Sequence, residues 1–259
     1  MILYPQIDPV ALQIGPLAVR WYGLMYLLGF VAAYFLIRHL ARLRKMPLTG
    51  EDLSDLLFYC MLGVILGGRL GYVFFYDAGY YLQNPLKVLF VWQGGMSFHG
   101  GLLGVVLAGG YFCWKKSKPW MLTGDILVTA ATIGLGLGRL GNFINGELWG
   151  RVTDVPWGMV FPGGGPLPRH PSQLYEAALE GVVLFSVLFL LHRRKVSPGV
   201  PLFFFLILYG LFRMIVELFR EPDLHLGFLW GMVTMGQLLS IPMILAGLGG
   251  LVWCRRYRR

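Results

Sequence analysis

The sequence predicts an all-α polytopic membrane protein with seven transmembrane helices, its N-terminus outside, its C-terminus in the cytoplasm, and a small external segment. Three observations predict it. Of the 259 residues, 56% are hydrophobic and 14% charged, where soluble domains carry about 25% charged residues. Apolar runs close to the roughly 20 residues a helix needs to cross about 30 Å of hydrocarbon recur from end to end. Basic residues fall on alternate connections, which the positive-inside rule assigns to the cytoplasm. No stretch separates a soluble core from an anchor, so residues 1–259 read as a single integral membrane domain, with 145–171 as a short external loop region.

The first twenty residues have no basic stretch ahead of an apolar run and no small-residue cleavage site, so they read as mature protein rather than a signal peptide. Spans are then expected at 17–38, 52–76, 95–114, 121–144, 172–191, 200–219 and 232–254. Arg38, Arg42, Arg44 and Lys45 follow the first span, and Lys115, Lys116 and Lys118 the third. Arg193, Arg194 and Lys195 follow the fifth, and Arg255, Arg256, Arg258 and Arg259 end the chain. These groups hold most of the 22 Lys and Arg residues and explain the +9 formal charge through topology and anionic lipid headgroups. No recognition fold surrounds them, so nucleic acid is not an expected partner. Cys60, Cys113 and Cys254 lack the paired spacing of a redox or zinc motif and read as structural thiols. No Walker, Rossmann or HExxH pattern occurs, and neither a metal nor a cofactor is expected.

Three spans each carry one arginine: Arg69, Arg139 and Arg213. Each lies about five to seven residues before the outer end of its span, roughly 8 to 10 Å deep at 1.5 Å per residue. His99 enters the third span at a similar level, and Tyr22 and Tyr26 open the first on that side. An arginine at mid-membrane costs about 2.5–3.5 kcal/mol on insertion scales, so each needs a partner or a ligand. Glu217 stands four residues after Arg213 and three before Arg220, within reach of both along one helix face. Arg69 has no polar companion in its own span; it pairs elsewhere, snorkels to the interface, or meets a ligand. Gly63, Gly67 and Gly71, like Gly100 and Gly104, repeat at four-residue spacing and let helix backbones approach closely.

The densest polar segment is Arg139-Leu-Gly-Asn142-Phe-Ile-Asn145-Gly-Glu147-Leu-Trp-Gly150. Arg139, Asn142 and Asn145 share one helix face. A guanidinium fork beside two amides suits an oxyanion, most naturally a phosphate; alternatively the asparagines cap the end of the fourth span. Trp149 and Trp157 suit an interfacial aromatic belt. His99 stands in Gly94-Gly-Met-Ser-Phe-His99-Gly-Gly101, where glycines leave room for a ligand, although a lone histidine is often simply packed. His170, in Pro168-Arg-His170-Pro-Ser-Gln173-Leu-Tyr-Glu176, is a second candidate in a segment that also reads as a helix start.

Together these residues resemble the prolipoprotein diacylglyceryl transferases of bacteria. The resemblance covers most of the chain: Arg20-Trp-Tyr-Gly-Leu-Met-Tyr26, Gly67-Gly-Arg69-Leu-Gly-Tyr72, the His99 segment, the Gly138-to-Gly150 signature, Arg169-His-Pro-Ser-Gln-Leu-Tyr-Glu176, and Tyr209-Gly-Leu-Phe-Arg213 with Glu217 and Arg220. The segment between Gly150 and His170 is short compared with many members. The resemblance implies a multi-pass protein of the bacterial cytoplasmic (inner) membrane, with its site toward the outer leaflet and periplasmic side. It implies phosphatidylglycerol as donor and the lipobox cysteine of a prolipoprotein signal peptide as acceptor, joined in a thioether as glycerol-1-phosphate leaves.

Family roles carry over to Tyr22, His99, Arg139, Asn142, Glu147, Gly150, Tyr209 and Arg213. The full expectation makes His99, Arg139 and Arg213 catalytic. Tyr22, Tyr26, Arg69, Asn142, Asn145, Glu147, Gly150, His170, Tyr209 and Glu217 are expected to bind substrate. The thiolate is the nucleophile and a free cysteine has a pKa near ~8.5, so a base is required. His99 is a suitable acceptor at an ordinary pKa of ~6.5; a phosphate oxygen of the donor lipid and Glu147 are the alternatives. Fixed guanidinium groups suit the charge that grows on the leaving phosphate. A transporter or flippase for an anionic solute or lipid is the rival class, but a pathway needs two exits and the polar residues gather at one level. A scaffold would leave His99 and the asparagines unexplained.

Overall fold

A computed structural model describes residues 2–221 and 234–256. In chain order it contains strands β1 (Val10–Ile14) and β2 (Leu17–Arg20) and helices α1 (Trp21–Leu43), α2 (Gly50–Phe75), α3 (Ala78–Gln83), α4 (Phe98–Lys115) and α5 (Trp120–Ile144). These are followed by α6 (Ser172–Arg193), α7 (Val200–Glu217) and α8 (Met235–Arg256). Among the described residues, α1, α2, α5, α6, α7 and α8 are the six helices long and apolar enough to cross a membrane. The chain is therefore a multi-pass membrane protein. The third expected span is α4; at 18 residues it is as long as α7, and His99, Trp114, Lys115 and its glycines leave it less apolar than the six. Residues 232 and 233 of the last expected span, and Arg258 and Arg259, lie outside the described residues.

The chain divides into two compact units, Lys45–Gly124 and Met1–Arg44 with Asp125–Arg259. The larger begins with an antiparallel hairpin where the sequence pattern placed the start of a helix. Ile14 pairs with Leu17, and Gly15 takes φ +56 in the turn between them. The left-handed glycine followed by proline turns the chain back on itself, and alternating apolar residues such as Leu12 and Ile14 then satisfy a two-residue period better than a helical one. The first helix accordingly starts at Trp21.

Helix α6 is not uniform. Residues Ala177–Val183 form a π-helical stretch, the wider winding that inserts a bulge into an α-helix and recurs at functional sites. Gly181 in this bulge faces Gly136 of α5, where an added Cβ would lie 2.8 Å from the Gly136 Cα. At the other end of α6, buried His192 has its Nε2 3.1 Å from the Thr129 hydroxyl and its Nδ1 3.3 Å from Arg44. Buried Asp125 accepts from the backbone N–H groups of Gly199 (2.8 Å) and Leu202 (2.9 Å), capping the first turn of α7. That cap satisfies helix donors that would otherwise be stranded in an apolar setting.

Residues 145–171 contain no helix. Isolated bridges join Gly150 to Arg220, and Val152 and Met159 to Arg169, with Ile2 bridged to Met159. Arg151 donates to the carbonyls of Arg220 and Glu217 (3.0 and 3.1 Å), and Arg169 to those of Gly164 and Gly150 (2.7 and 3.1 Å). Tyr4 packs on Phe143 and Phe161, and burial raises its phenol above the ordinary tyrosine pKa.

In the smaller unit, α2 and α4 meet along the expected glycine seam. A Cβ on Gly67 would overlap the Gly100 carbonyl oxygen and sit 2.9 Å from the Gly104 Cα; one on Gly71 would lie 2.8 Å from the Gly100 Cα. No larger residue fits such backbone contact, the packing mode of small-residue interfaces in lipid. Thr49 and Asp52 form a capping box at the start of α2. Lys116 and Lys118 close on this end, pairing with Asp55 at 2.8 Å and Asp52 at 2.7 Å.

Candidate active site

Arg139 on α5 and Arg213 on α7 converge on one atom. Glu176 Oε2 lies 2.6 Å from Arg139 Nε and 3.0 Å from Arg213 Nη1, and Glu176 is fully buried. Arg213 also pairs with Glu217, one turn further along α7, and Arg220 Nη1 lies 3.6 Å from the same carboxylate. The i, i+4 reach of Glu217 read from sequence is therefore present, and Glu176 adds a link that sequence spacing along one helix could not supply. Glu180 is fully buried in the π stretch, with Glu176, Arg139, Arg213 and Arg220 as its charged neighbours. Tyr209, one turn before Arg213, has Glu180, Arg213, Arg139 and Glu176 around it.

The second focus is Glu147. Its Oε1 accepts from the side-chain amides of Asn142 (2.9 Å) and Asn145 (3.2 Å). The donors that the sequence assigned to an oxyanion thus hold a carboxylate of the chain itself, and the asparagines also mark the end of α5. The segment that follows is bent twice: Gly146 takes φ +66 and Leu148 φ +58. A non-glycine residue in the left-handed region is costly and persists where its surroundings fix it. Here Gln173 donates to the Glu147 carbonyl (2.6 Å) and the Ser172 hydroxyl to the Leu148 carbonyl (3.0 Å). The start of α6 therefore sets the shape of the loop that carries Glu147.

Tyr22 and Tyr26 stack edge to face at 5.0 Å with their hydroxyls 3.2 Å apart. Tyr22 lies over Gly141, where an added Cβ would come within 2.8 Å of its ring. Gly150 is equally confined, with the Phe219 carbonyl oxygen 2.5 Å and the His170 Cβ 2.7 Å from a built Cβ. His170 Nδ1 is 3.1 Å from the Tyr175 hydroxyl, which also accepts from Trp157 at 2.6 Å. Burial holds His170 below the usual histidine pKa, so it is a packed, neutral-favouring group.

In the smaller unit, His99 is exposed on the first turn of α4, two residues after its cap. Ser97 provides that cap, accepting from the Gly100 N–H at 3.2 Å. Arg69, expected to meet substrate, is 3% exposed. It donates to the carbonyls of Lys87, Val88, Gly94 and Gly95 at 2.6, 2.8, 2.6 and 3.2 Å. It does not snorkel.

Sequence reasoning missed Glu176, Glu180 and Gln173 as parts of this arrangement, and Arg151 and Arg169 as the ties of the external loop. The Pro-Ser-Gln-Leu-Tyr-Glu run was read as a helix start, which it is. The available signal was the pair of carboxylates four residues apart inside an apolar span, beside Arg139, which had no carboxylate partner in its own span. Among the described residues, no group of three or more His, Cys, Asp or Glu side chains is placed to hold a metal ion.

The fold and these clusters define a multi-pass membrane protein in which two guanidinium groups, Arg139 and Arg213, meet on one buried carboxylate. The family model described as prolipoprotein diacylglyceryl transferase matches residues 9–253, and the chain belongs to that family. It is 60% identical to the phosphatidylglycerol–prolipoprotein diacylglyceryl transferase of Geobacter sulfurreducens over 95% of this chain and 94% of the relative. It is 58% identical to the enzyme of the same name from Oleidesulfovibrio alaskensis (96% and 93% covered) and 55% identical to that of Pseudomonas paraeruginosa (100% and 97%). The chain is accordingly a transferase of lipoprotein maturation.

Proposed function

We propose that this chain transfers the diacylglyceryl group of phosphatidylglycerol to the lipobox cysteine of a prolipoprotein, the first step of lipoprotein maturation. The cysteine thiolate attacks the glyceryl carbon that carries the phosphodiester. A carbon–sulfur bond forms, the carbon–oxygen bond to phosphate breaks, and glycerol-1-phosphate leaves with the electron pair. His99 accepts the thiol proton. Arg139 and Arg213 hold the phosphate as its charge grows. Tyr22, Tyr26, Asn142, Asn145, Glu147, Gly150, His170, Tyr209 and Glu217 shape and orient the donor lipid's surroundings. The observation that carries the phosphate assignment is the meeting of two guanidinium groups on one carboxylate oxygen, a geometry that planar forks offer to any oxyanion.

The chain spans the bacterial cytoplasmic membrane seven times, α4 being the third span, with the N-terminus outside and the site toward the outer leaflet. Supporting this, basic residues gather after α1, α4, α6 and α8, the alternate ends that positive-inside topology places in the cytoplasm.

Purified protein incubated with phosphatidylglycerol and a lipobox peptide should yield a peptide heavier by one diacylglyceryl group, together with glycerol-1-phosphate. Absence of the adduct, with anion flux across protein-containing vesicles instead, would establish a transporter. For the base, His99→Gln should abolish transfer while the donor lipid still binds; near-normal turnover would move the proton to the lipid phosphate or Glu147.

A further inference from the structure

We propose that Arg69 is a positioning residue, whose guanidinium fixes the loop that delivers His99 at the start of α4. The proposal rests on the reading of His99 as the reacting group. Arg69 spends four of its five N–H groups on carbonyls at both limbs of the 87–95 loop. Its guanidinium carbon also lies 5.1 Å from the Tyr81 ring centroid, a cation–π distance. Gly94 and Gly95 take φ +85 and +74, and a Cβ on Gly95 would lie 3.0 Å from Arg69 Nη1. The loop backbone is thus laid directly on the guanidinium.

The neighbouring residue completes the clamp. The Ser97 N–H donates to the Gly68 carbonyl at 2.8 Å, and Ser97 then caps α4. Consecutive residues of α2 therefore pin the loop from Lys87 to Ser97, and His99 follows two residues on. At 3% exposure and with these bonds made, Arg69 has little fork left for a lipid phosphate. A lysine offers a point charge on a flexible stem and cannot reproduce a planar fork shared among four separate carbonyls.

The test uses the full chain in phosphatidylglycerol-containing nanodiscs, with Arg69→Lys, Arg69→Ala and His99→Gln measured side by side. A shift of about 1 Å at a reacting group costs on the order of 10²-fold, so both Arg69 variants should lose about that much kcat. The KM for phosphatidylglycerol should stay within about threefold, because uniform binding is untouched. Amides of residues 97–101 should exchange faster, and methylguanidinium should restore turnover to Arg69→Ala. Unchanged kcat in a folded variant overturns the proposal, as does a loss confined to the lipid KM, which would make Arg69 a substrate contact. If Arg69→Ala fails to fold, Arg69→Lys carries the test. If His99→Gln turns over normally, the reading of His99 itself falls and this proposal with it, whereas an inactive His99→Gln beside a fully active Arg69→Lys overturns the clamp alone.

Discussion

Glu176→Gln removes one charge and almost no volume from the centre of the arginine cluster. Glu176 is fully buried and its Oε2 serves Arg139 at 2.6 Å and Arg213 at 3.0 Å. At an effective dielectric of about 20, each such pair is worth about 4 kcal/mol before desolvation is counted. Deleting one partner of a buried pair leaves a net loss of about 3–5 kcal/mol, because the other charge stays behind uncompensated. Arg213 retains Glu217, so the loss falls mainly on Arg139, which keeps Glu180 nearby. A misdirected oxyanion donor costs about 10²–10³ in kcat. Initial rates of diacylglyceryl-peptide formation, followed by mass spectrometry as phosphatidylglycerol is titrated, should show that loss. The lipid KM should be unchanged or lower, since the arginines no longer face an internal competitor. Glu176→Asp keeps the charge but retracts it by one methylene and should fall between. Transfer by Glu176→Gln within about threefold of the unsubstituted protein would show that Glu176 does not orient the arginines for catalysis, since an interaction made in the transition state shows itself in kcat.

Two further outcomes follow from packing and charge. Gly67→Ala forces α2 and α4 apart, because the new Cβ would overlap the Gly100 carbonyl. Overpacking of this kind costs about 1–3 kcal/mol and should lower the thermal midpoint of the detergent-solubilised protein. Gly23→Ala, with nothing within 4 Å of the added Cβ, should not lower it, and equal midpoints for the two variants would contradict the seam. Burial depresses the folded-state pKa of His170, so its stabilising contribution is present above the unfolded value of ~6.5 and lost as pH falls through the folded value. Proteolysis of the 145–171 loop should accelerate on acidification from about pH 6.5 down to the folded value, and His170→Gln should flatten the dependence; an unchanged profile in the variant would assign it to other groups.

Much of this architecture was legible because lipid imposes strong rules. Apolar length marked α1, α2 and α5 to α8, and four-residue glycine spacing marked the α2–α4 seam, since only glycine permits backbones to touch. The hairpin at Val10–Arg20 escaped because its strands merge into the first apolar run, where two-residue and 3.6-residue periods compete over few positions. The π stretch in α6 has no composition of its own; it carries Gly181, which packs on Gly136. In the site, arginines in apolar spans announced themselves by their cost. Glu217 was legible as a partner through its four-residue spacing from Arg213, but Glu176 was not, because it lies 37 residues from Arg213 and meets it through tertiary structure alone. Arg69 was ambiguous for the same reason, as its acceptors are backbone carbonyls that no side-chain pattern encodes.

Arg139 and Arg213 are proposed to hold the departing phosphate. The most direct measurement is the rate of thioether formation by Arg139→Ala, in protein shown by its thermal midpoint to be inserted and folded, with Glu176 still able to pair with Arg213. A loss of at least about 10²–10³-fold in kcat is expected, the cost of removing one donor from a preorganised oxyanion site. Near-normal transfer by that folded variant would contradict it.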